Sequence, residues 1–276
     1  MTTLTPTMAP TPTGGVATSK LGDVLRCERT KFRTVASSWW TLLTVLVGTV
    51  AIGLITCWAV VAHWDQMSLA EKATLDPTFK SLIGLFIGQV AVGILGALAI
   101  TSEYATGMIR TTFAAVPRRR AVLAAKAAAL VVPAFVVSTV GCVLAFLSGQ
   151  AILNTKSAGV SLTDPTVLRA VLGGGLYLTL LALFGLGLGA IFRRTAGAIA
   201  AFIGLVLVLP VVFLQLPSPL WDYAKYLPAN AGQALFSVKP AVGSAQLAPW
   251  AGFAVLCAWA AAALGIAAWR ITRRDA

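Results

Sequence analysis

Six apolar segments, each long enough to cross a bilayer, run through this 276-residue chain and leave almost no ionisable side chain in their cores. They extend approximately from Trp40 to Ala62, Leu82 to Ile100, Ala127 to Ser148, Ala170 to Phe192, Ala196 to Leu216 and Pro249 to Trp269, each 19 to 23 residues long. At about 1.5 Å per residue such a segment crosses the roughly 30 Å hydrocarbon layer as a helix. Helix is required there because backbone amides find no water to pair with. Hydrophobic residues make up 58% of the chain and charged residues 11%. Soluble domains carry about 45–50% and 25%, so a soluble fold is excluded and an all-α polytopic membrane protein is expected.

The net charge of +12 would point to nucleic acid in a soluble protein, but the basic residues are placed as a topology signal. Lys20, Arg26, Arg29, Lys31 and Arg33 precede the first span, and Arg110, Arg118, Arg119, Arg120 and Lys126 lie between the second and third. Arg193 and Arg194 fill the tight connection between spans four and five, and Arg270, Arg273 and Arg274 follow the sixth. Fifteen of the 21 basic residues thus fall on one side. The positive-inside rule places that side, with both termini, in the cytoplasm of a plasma membrane, and no nucleic-acid partner is expected.

Residues 1–19 are rich in Thr and Pro, lack the apolar core of a cleavable signal, and are expected to form a disordered cytoplasmic tail. Residues 20–39 alternate basic side chains with Leu21, Val24, Leu25, Phe32 and Val35 near helical spacing. This pattern predicts an amphipathic interfacial helix with Arg26, Arg29 and Arg33 turned to water and anionic lipid. The remaining residues, 40–276, form the six-span domain. Cys27, Cys57, Cys142 and Cys257 have no paired spacing and His63 is the single histidine, so neither a disulfide framework nor a metal site is expected.

Glycines recur four apart at residues 84 and 88 and at residues 185 and 189, a pattern that lets membrane helices approach closely. Polar residues within the spans are sparse, and Thr56 and Gln89 are the candidates for a substrate path. Gln89 has a second reading as an interhelical hydrogen-bonding group. A proton- or sodium-coupled transporter usually needs an ionisable or carbonyl-rich site near mid-membrane, so the pattern favours energy supplied from outside the bilayer. The long outer connection, Pro217 to Ala248, carries aromatics with Pro228, Gly232 and Pro240, which predicts short helices or a partial re-entry.

The most informative stretch is SEYATGMIRTTFAAVPRRRAVLAAK, residues 102–126. Ser102 is placed to cap a helix with Glu103 in its first turn. Ala105, Ile109 and Phe113 form one face of that helix, and Glu103, Thr106 and Arg110 another. Pro117 should end it before the Arg118–Arg120 run. A short surface helix of this kind can press into a groove on a cytoplasmic protein and pass movement to the attached spans.

The order of amphipathic helix, six spans and an SEYATGMIR segment after the second span resembles the permease subunits of type-two ATP-binding-cassette exporters, over residues 21–274. Glu103, Tyr104, Gly107, Ile109 and Arg110 match that family's E-Y-x-x-G-x-[IL]-R pattern, and Pro217 to Ala248 resembles its extracellular helical insertion. The resemblance implies a permease that dimerises with an identical or homologous chain and binds cytoplasmic ATPase subunits. Residues 102–115, with Phe113, would act as the coupling helix. It also implies export of a drug, peptide or lipid-like amphiphile. The chain has no GxxxxGK[ST] phosphate cradle, so ATP and Mg would bind the partner ATPase, no cofactor would bind this chain, and this chain would not be an enzyme. HExxH and GxSxG are absent as well. A non-transporting sensor or assembly subunit and an ion-coupled secondary transporter are the alternatives.

Overall fold

The computed structural model describes residues 21–34, 36–116, 118–213, 215, 220–239 and 246–273. The tail expected over residues 1–19, Pro117, Leu216 and the side chain of Arg33 lie outside this set. Among the described residues every regular element is helical. In chain order they are α1 (Leu21–Thr34), α2 (Ala36–Ala62), α3 (Leu69–Thr74), α4 (Pro77–Leu82), α5 (Leu85–Ala105), α6 (Met108–Ala115), α7 (Arg119–Leu153), α8 (Pro165–Phe192), α9 (Thr195–Ile203), α10 (Leu209–Phe213), α11 (Pro228–Phe236) and α12 (Pro249–Arg273). A π-helical stretch, Gly204–Val208, joins α9 to α10 into one fifth span. Six helices are long and apolar enough to cross a membrane, which supports a polytopic all-α membrane protein.

Most spans are longer than expected: α2 starts at Ala36 rather than Trp40, α5 runs to Ala105 rather than Ile100, α8 starts at Pro165 rather than Ala170 and α12 runs to Arg273 rather than Trp269. The second span starts at Leu85 rather than Leu82, because Asp76 caps a separate short helix, α4, by accepting the Phe79 N–H at 3.0 Å. The third begins at Arg119 rather than Ala127 and reaches Leu153. At 35 residues it measures roughly 50 Å and projects beyond the hydrocarbon layer.

The centre of the bundle is α8, which packs on α5, α7 and α12. Its position follows from glycine. A Cβ at Gly96 of α5 would collide with the Ala182 carbonyl of α8, and one at Gly185 with the Gly93 carbonyl of α5. The absent side chains let the two backbones touch, and dispersion between them supplies the packing energy that a hydrophobic effect cannot provide within lipid. Asp164 starts α8 by accepting the Thr166 N–H at 2.8 Å, with Pro165 in the first turn.

Both ends of the described chain meet at one end of the bundle, where Arg119 Nη1 donates to the Ile271 carbonyl at 3.2 Å and α1 packs on α7. This basic end gathers the arginine-rich connections. At the opposite end, Gln150 of α7 donates through Nε2 to the Pro77 carbonyl (3.2 Å) and Ser81 Oγ (3.1 Å), and its Oε1 accepts the Val160 N–H at 2.8 Å. The long connection contributes a 3-10 turn, Leu220–Tyr226, and α11, which wedges against α8 and α12. Phe236 at the end of α11 stacks on Phe79 of α4 with ring centroids 6.0 Å apart. Arg169 of α8 donates to the Ser237 carbonyl at 3.2 Å. The short helices expected in this connection are therefore present among its described residues, built into the bundle.

Candidate functional site: a buried ion network at the basic end

Glu103 occupies the last turn of α5, not the first turn of a separate coupling helix. The Ser102 hydroxyl donates back to the Leu98 carbonyl at 2.7 Å, as a mid-helix serine does, and caps nothing. The expected helix over residues 102–115 is broken at Gly107, which adopts the left-handed conformation with φ of 72°. That geometry favours glycine, and it lets the chain turn sharply into α6. Glu103 and Arg110 consequently sit on different helices rather than on one face.

α6 turns Ile109 inward, where it is buried, and leaves Phe113 half-buried. Arg110 and Met108 are exposed. The Arg119 guanidinium lies 5.5 Å from the Phe113 ring centroid, and that of Arg193 lies 5.5 Å from the Tyr104 ring. Arg193 itself ends α8 in a left-handed conformation, φ 57°, donating its N–H to the Gly189 carbonyl at 2.9 Å. The Thr195 hydroxyl of α9 donates to Thr101 Oγ1 of α5 at 3.1 Å, so α5, α6, α8 and α9 converge at this end.

Glu103 does not meet Arg110. Its Oε1 accepts Lys126 Nζ of α7 at 2.6 Å and Lys31 Nζ of α1 at 3.1 Å. Lys126 also donates to Glu28 Oε2 at 2.8 Å, and Lys31 to Glu28 Oε1 at 3.2 Å. Two carboxylates and two ammonium groups thus tie α1, α5 and α7 together. Lys126 has 3% of its side chain exposed and Glu28 and Glu103 7% each, whereas Lys31 keeps 30%. Burial alone would lower the Lys31 pKa, but the hydrogen bond to Glu103 and the field of Glu28 outweigh it and hold the lysine above its ordinary value. Charges removed from water in this way are stable only while each keeps its partners.

Sequence reasoning did not select Glu28, Lys31 or Lys126 as site residues. A signal for the first two existed: Val24, Glu28 and Lys31 follow at four- and three-residue spacing and share the face of α1 on which Val24 and Glu28 are buried. Arg26 and Arg29 are exposed on that helix, and the Arg33 side chain is outside the described residues. For Lys126 the signal was a lone lysine in an alanine-rich apolar run.

The two candidates for a substrate path lie away from this end. Gln89 is 1% exposed, and its amide oxygen accepts the Tyr177 hydroxyl, joining α5 to α8. This is the geometry of its interhelical reading. Thr56 is half-buried on α2, and the two residues share no hydrogen bond among the described ones. All four cysteines are free thiols, and no group of three His, Cys, Asp or Glu that could hold a metal ion occurs among the described residues. No known protein family model matches the sequence, and no curated protein is similar to it.

Proposed function

We propose that this chain is the membrane permease subunit of an ATP-driven exporter of the ATP-binding-cassette class. In this reading its basic end faces the cytoplasm of a cell membrane. Cytoplasmic ATPase subunits carry the ATP and Mg, and a second permease chain, identical or homologous, completes the path for an amphipathic drug, peptide or lipid-like cargo. The observation that carries the reading is the arrangement of Glu103: this residue, in the last turn of α5 ahead of α6, is also bonded to α1 and α7. A push on exposed Arg110 or Met108 of α6 would reach three helices through one carboxylate. Tyr104, Gly107, Ile109 and Phe113 set the angle at which α6 is held, and Arg26 and Arg29 keep α1 at the lipid surface.

The test is co-reconstitution of the chain with its cognate ATPase in vesicles, followed by ATP-dependent movement of amphipathic compounds. Transport is expected, with Arg110→Ala uncoupling ATP hydrolysis from movement while leaving insertion intact. Firm ATPase binding without movement of any cargo would replace the reading with that of an assembly subunit. Transport sustained by an ion gradient alone would replace it with a secondary transporter.

A further inference from the structure

A cleft of about 370 Å³ opens at the basic end between α1, the start of α2, the end of α5 and the start of α7. Leu95, Leu98 and Leu130 make its apolar wall, one or two turns deeper into the membrane than the polar mouth formed by Lys31, Ser102 and Glu103. Trp39 and Trp40, in the same turn as the lining residues Ser37, Ser38 and Thr41, are 51% and 69% exposed. Exposed tryptophans at a span's end mark head-group depth.

The cleft carries one buried side-chain acceptor left unmatched among the described residues. Glu103 Oε2 is buried without any partner, although the residue is 6% exposed and lines the cleft. The hydroxyls of Thr34, Thr41 and Ser102 donate to carbonyls of their own helices, which leaves oxygen lone pairs as what they have to offer a ligand. Pro133 has no N–H to give to the Ala129 carbonyl, and Ala129 lines the same cleft. Among the described residues lining the cleft, Lys31 is the cation with an accessible side chain, Lys126 being almost fully buried. An orphaned buried carboxylate oxygen is costly, and a donor-bearing head group relieves it.

We propose that this cleft binds a membrane aminophospholipid, its ammonium donating to Glu103 Oε2, its phosphate accepting from Lys31 Nζ, and its first chain carbons lying along Leu95, Leu98 and Leu130. The surrounding bilayer delivers such a lipid at the right depth, and the paired charges of its head group match a mouth lined by an ammonium and by a carboxylate whose buried second oxygen has no partner among the described residues. The site shares Glu103 and Met108 with the coupling path proposed above, but its occupancy can be read on the chain alone, with no ATPase present.

The test uses the full-length chain in detergent, titrated with phosphatidylethanolamine, phosphatidylcholine and phosphatidylglycerol of identical chains, with binding read by native mass spectrometry. One charge-assisted hydrogen bond corresponds to about tenfold in affinity, so phosphatidylethanolamine should bind about tenfold tighter than either of the others. Phosphatidylcholine keeps the phosphate but has no N–H, and equal binding of it would overturn the proposal. Tightest binding of phosphatidylglycerol would reduce the cleft to part of a basic surface. Dodecylamine, an ammonium without phosphate, should bind more weakly, and a match with phosphatidylethanolamine would overturn the phospholipid assignment. Ala99→Phe fills the apolar wall one turn from Glu103 while keeping all four charged side chains of the network, and should erase the preference; a preference that survives it lies elsewhere on the protein.

Discussion

The two ends of α7 are tied into the bundle by buried junctions of opposite chemistry, although charged groups such as Arg169 and the Lys156–Asp65 pair also occur at the end opposite the arginine-rich connections. At the basic end Glu28, Lys31, Glu103 and Lys126 bind α1, α5 and α7 with full charges. At the other end one neutral amide, Gln150, joins α7 to α4 and to the Val160 backbone, with α11 wedged beside them. The contrast teaches how each end fails. A neutral junction that loses one partner exposes a dipole, whereas a charged one exposes an ion in a place with little water.

The largest expected effect is at Lys126. Lys126→Met leaves two buried carboxylates facing one half-exposed lysine and should cost ~3–5 kcal/mol, measured by equilibrium unfolding of the detergent-solubilised chain. Adding Glu103→Gln should restore more than half of that loss, because the stranded charge is gone; no recovery would mean that Lys126 acts through packing alone. Gln150→Leu, at the neutral end, should cost ~1–3 kcal/mol by the same measurement. If its cost equalled that of Lys126→Met, the distinction between the ends would collapse.

Gly107→Ala comes next, at ~1–2 kcal/mol. An added Cβ there meets nothing within 4 Å, so the whole penalty is backbone strain at the positive φ. Limited proteolysis between α5 and α6 should report it, and unchanged cleavage would show that the turn tolerates a side chain.

The smallest effects are in the pH profile of the thermal midpoint, and they separate the ends by sign. Lys31 is held above its ordinary pKa of 10.5, so its contribution is present below that value and fades as pH rises through the higher folded one. Glu71, which caps α3 through Ser68, and Asp164, which caps α8 through Thr166, are both held below their ordinary values of 4.5 and 3.8. Their contributions are present above those values and fade as pH falls through the folded ones. Lys31→Met should flatten the alkaline limb, and Glu71→Gln with Asp164→Asn the acid limb; an exchange of limbs would contradict the assignment.

Local pattern carried much of this architecture in the sequence. Uninterrupted apolar runs marked the spans, and α1 announced itself by the spacing of Val24 among basic residues. The glycine pairs signalled close approach, but only three dimensions reveal that Gly185 meets Gly93. The site was harder to read. Glu28, Glu103 and Lys126 lie 75 and 23 residues apart along the chain, and no periodic rule links such positions. Motif spacing also suggested one helix through residues 102–115, because helical periodicity continues across Thr106 and Gly107. A thermodynamic choice at one glycine ended that helix, and with it the expected partnership of Glu103 and Arg110.

The wide turn at Gly204–Val208 gives the fifth span two azimuths. One residue more per turn than an α-helix shifts the phase of everything beyond it by about a quarter revolution. Ahead of the shift, α9 leans on α5 and α8; beyond it, α10 touches the Leu220–Tyr226 turn. The span therefore works as a strut keyed differently at its two tips, joining the membrane core to the helical cap above it. Shortening it by a single residue at Gly204 would leave one tip seated and swing the other out of its socket.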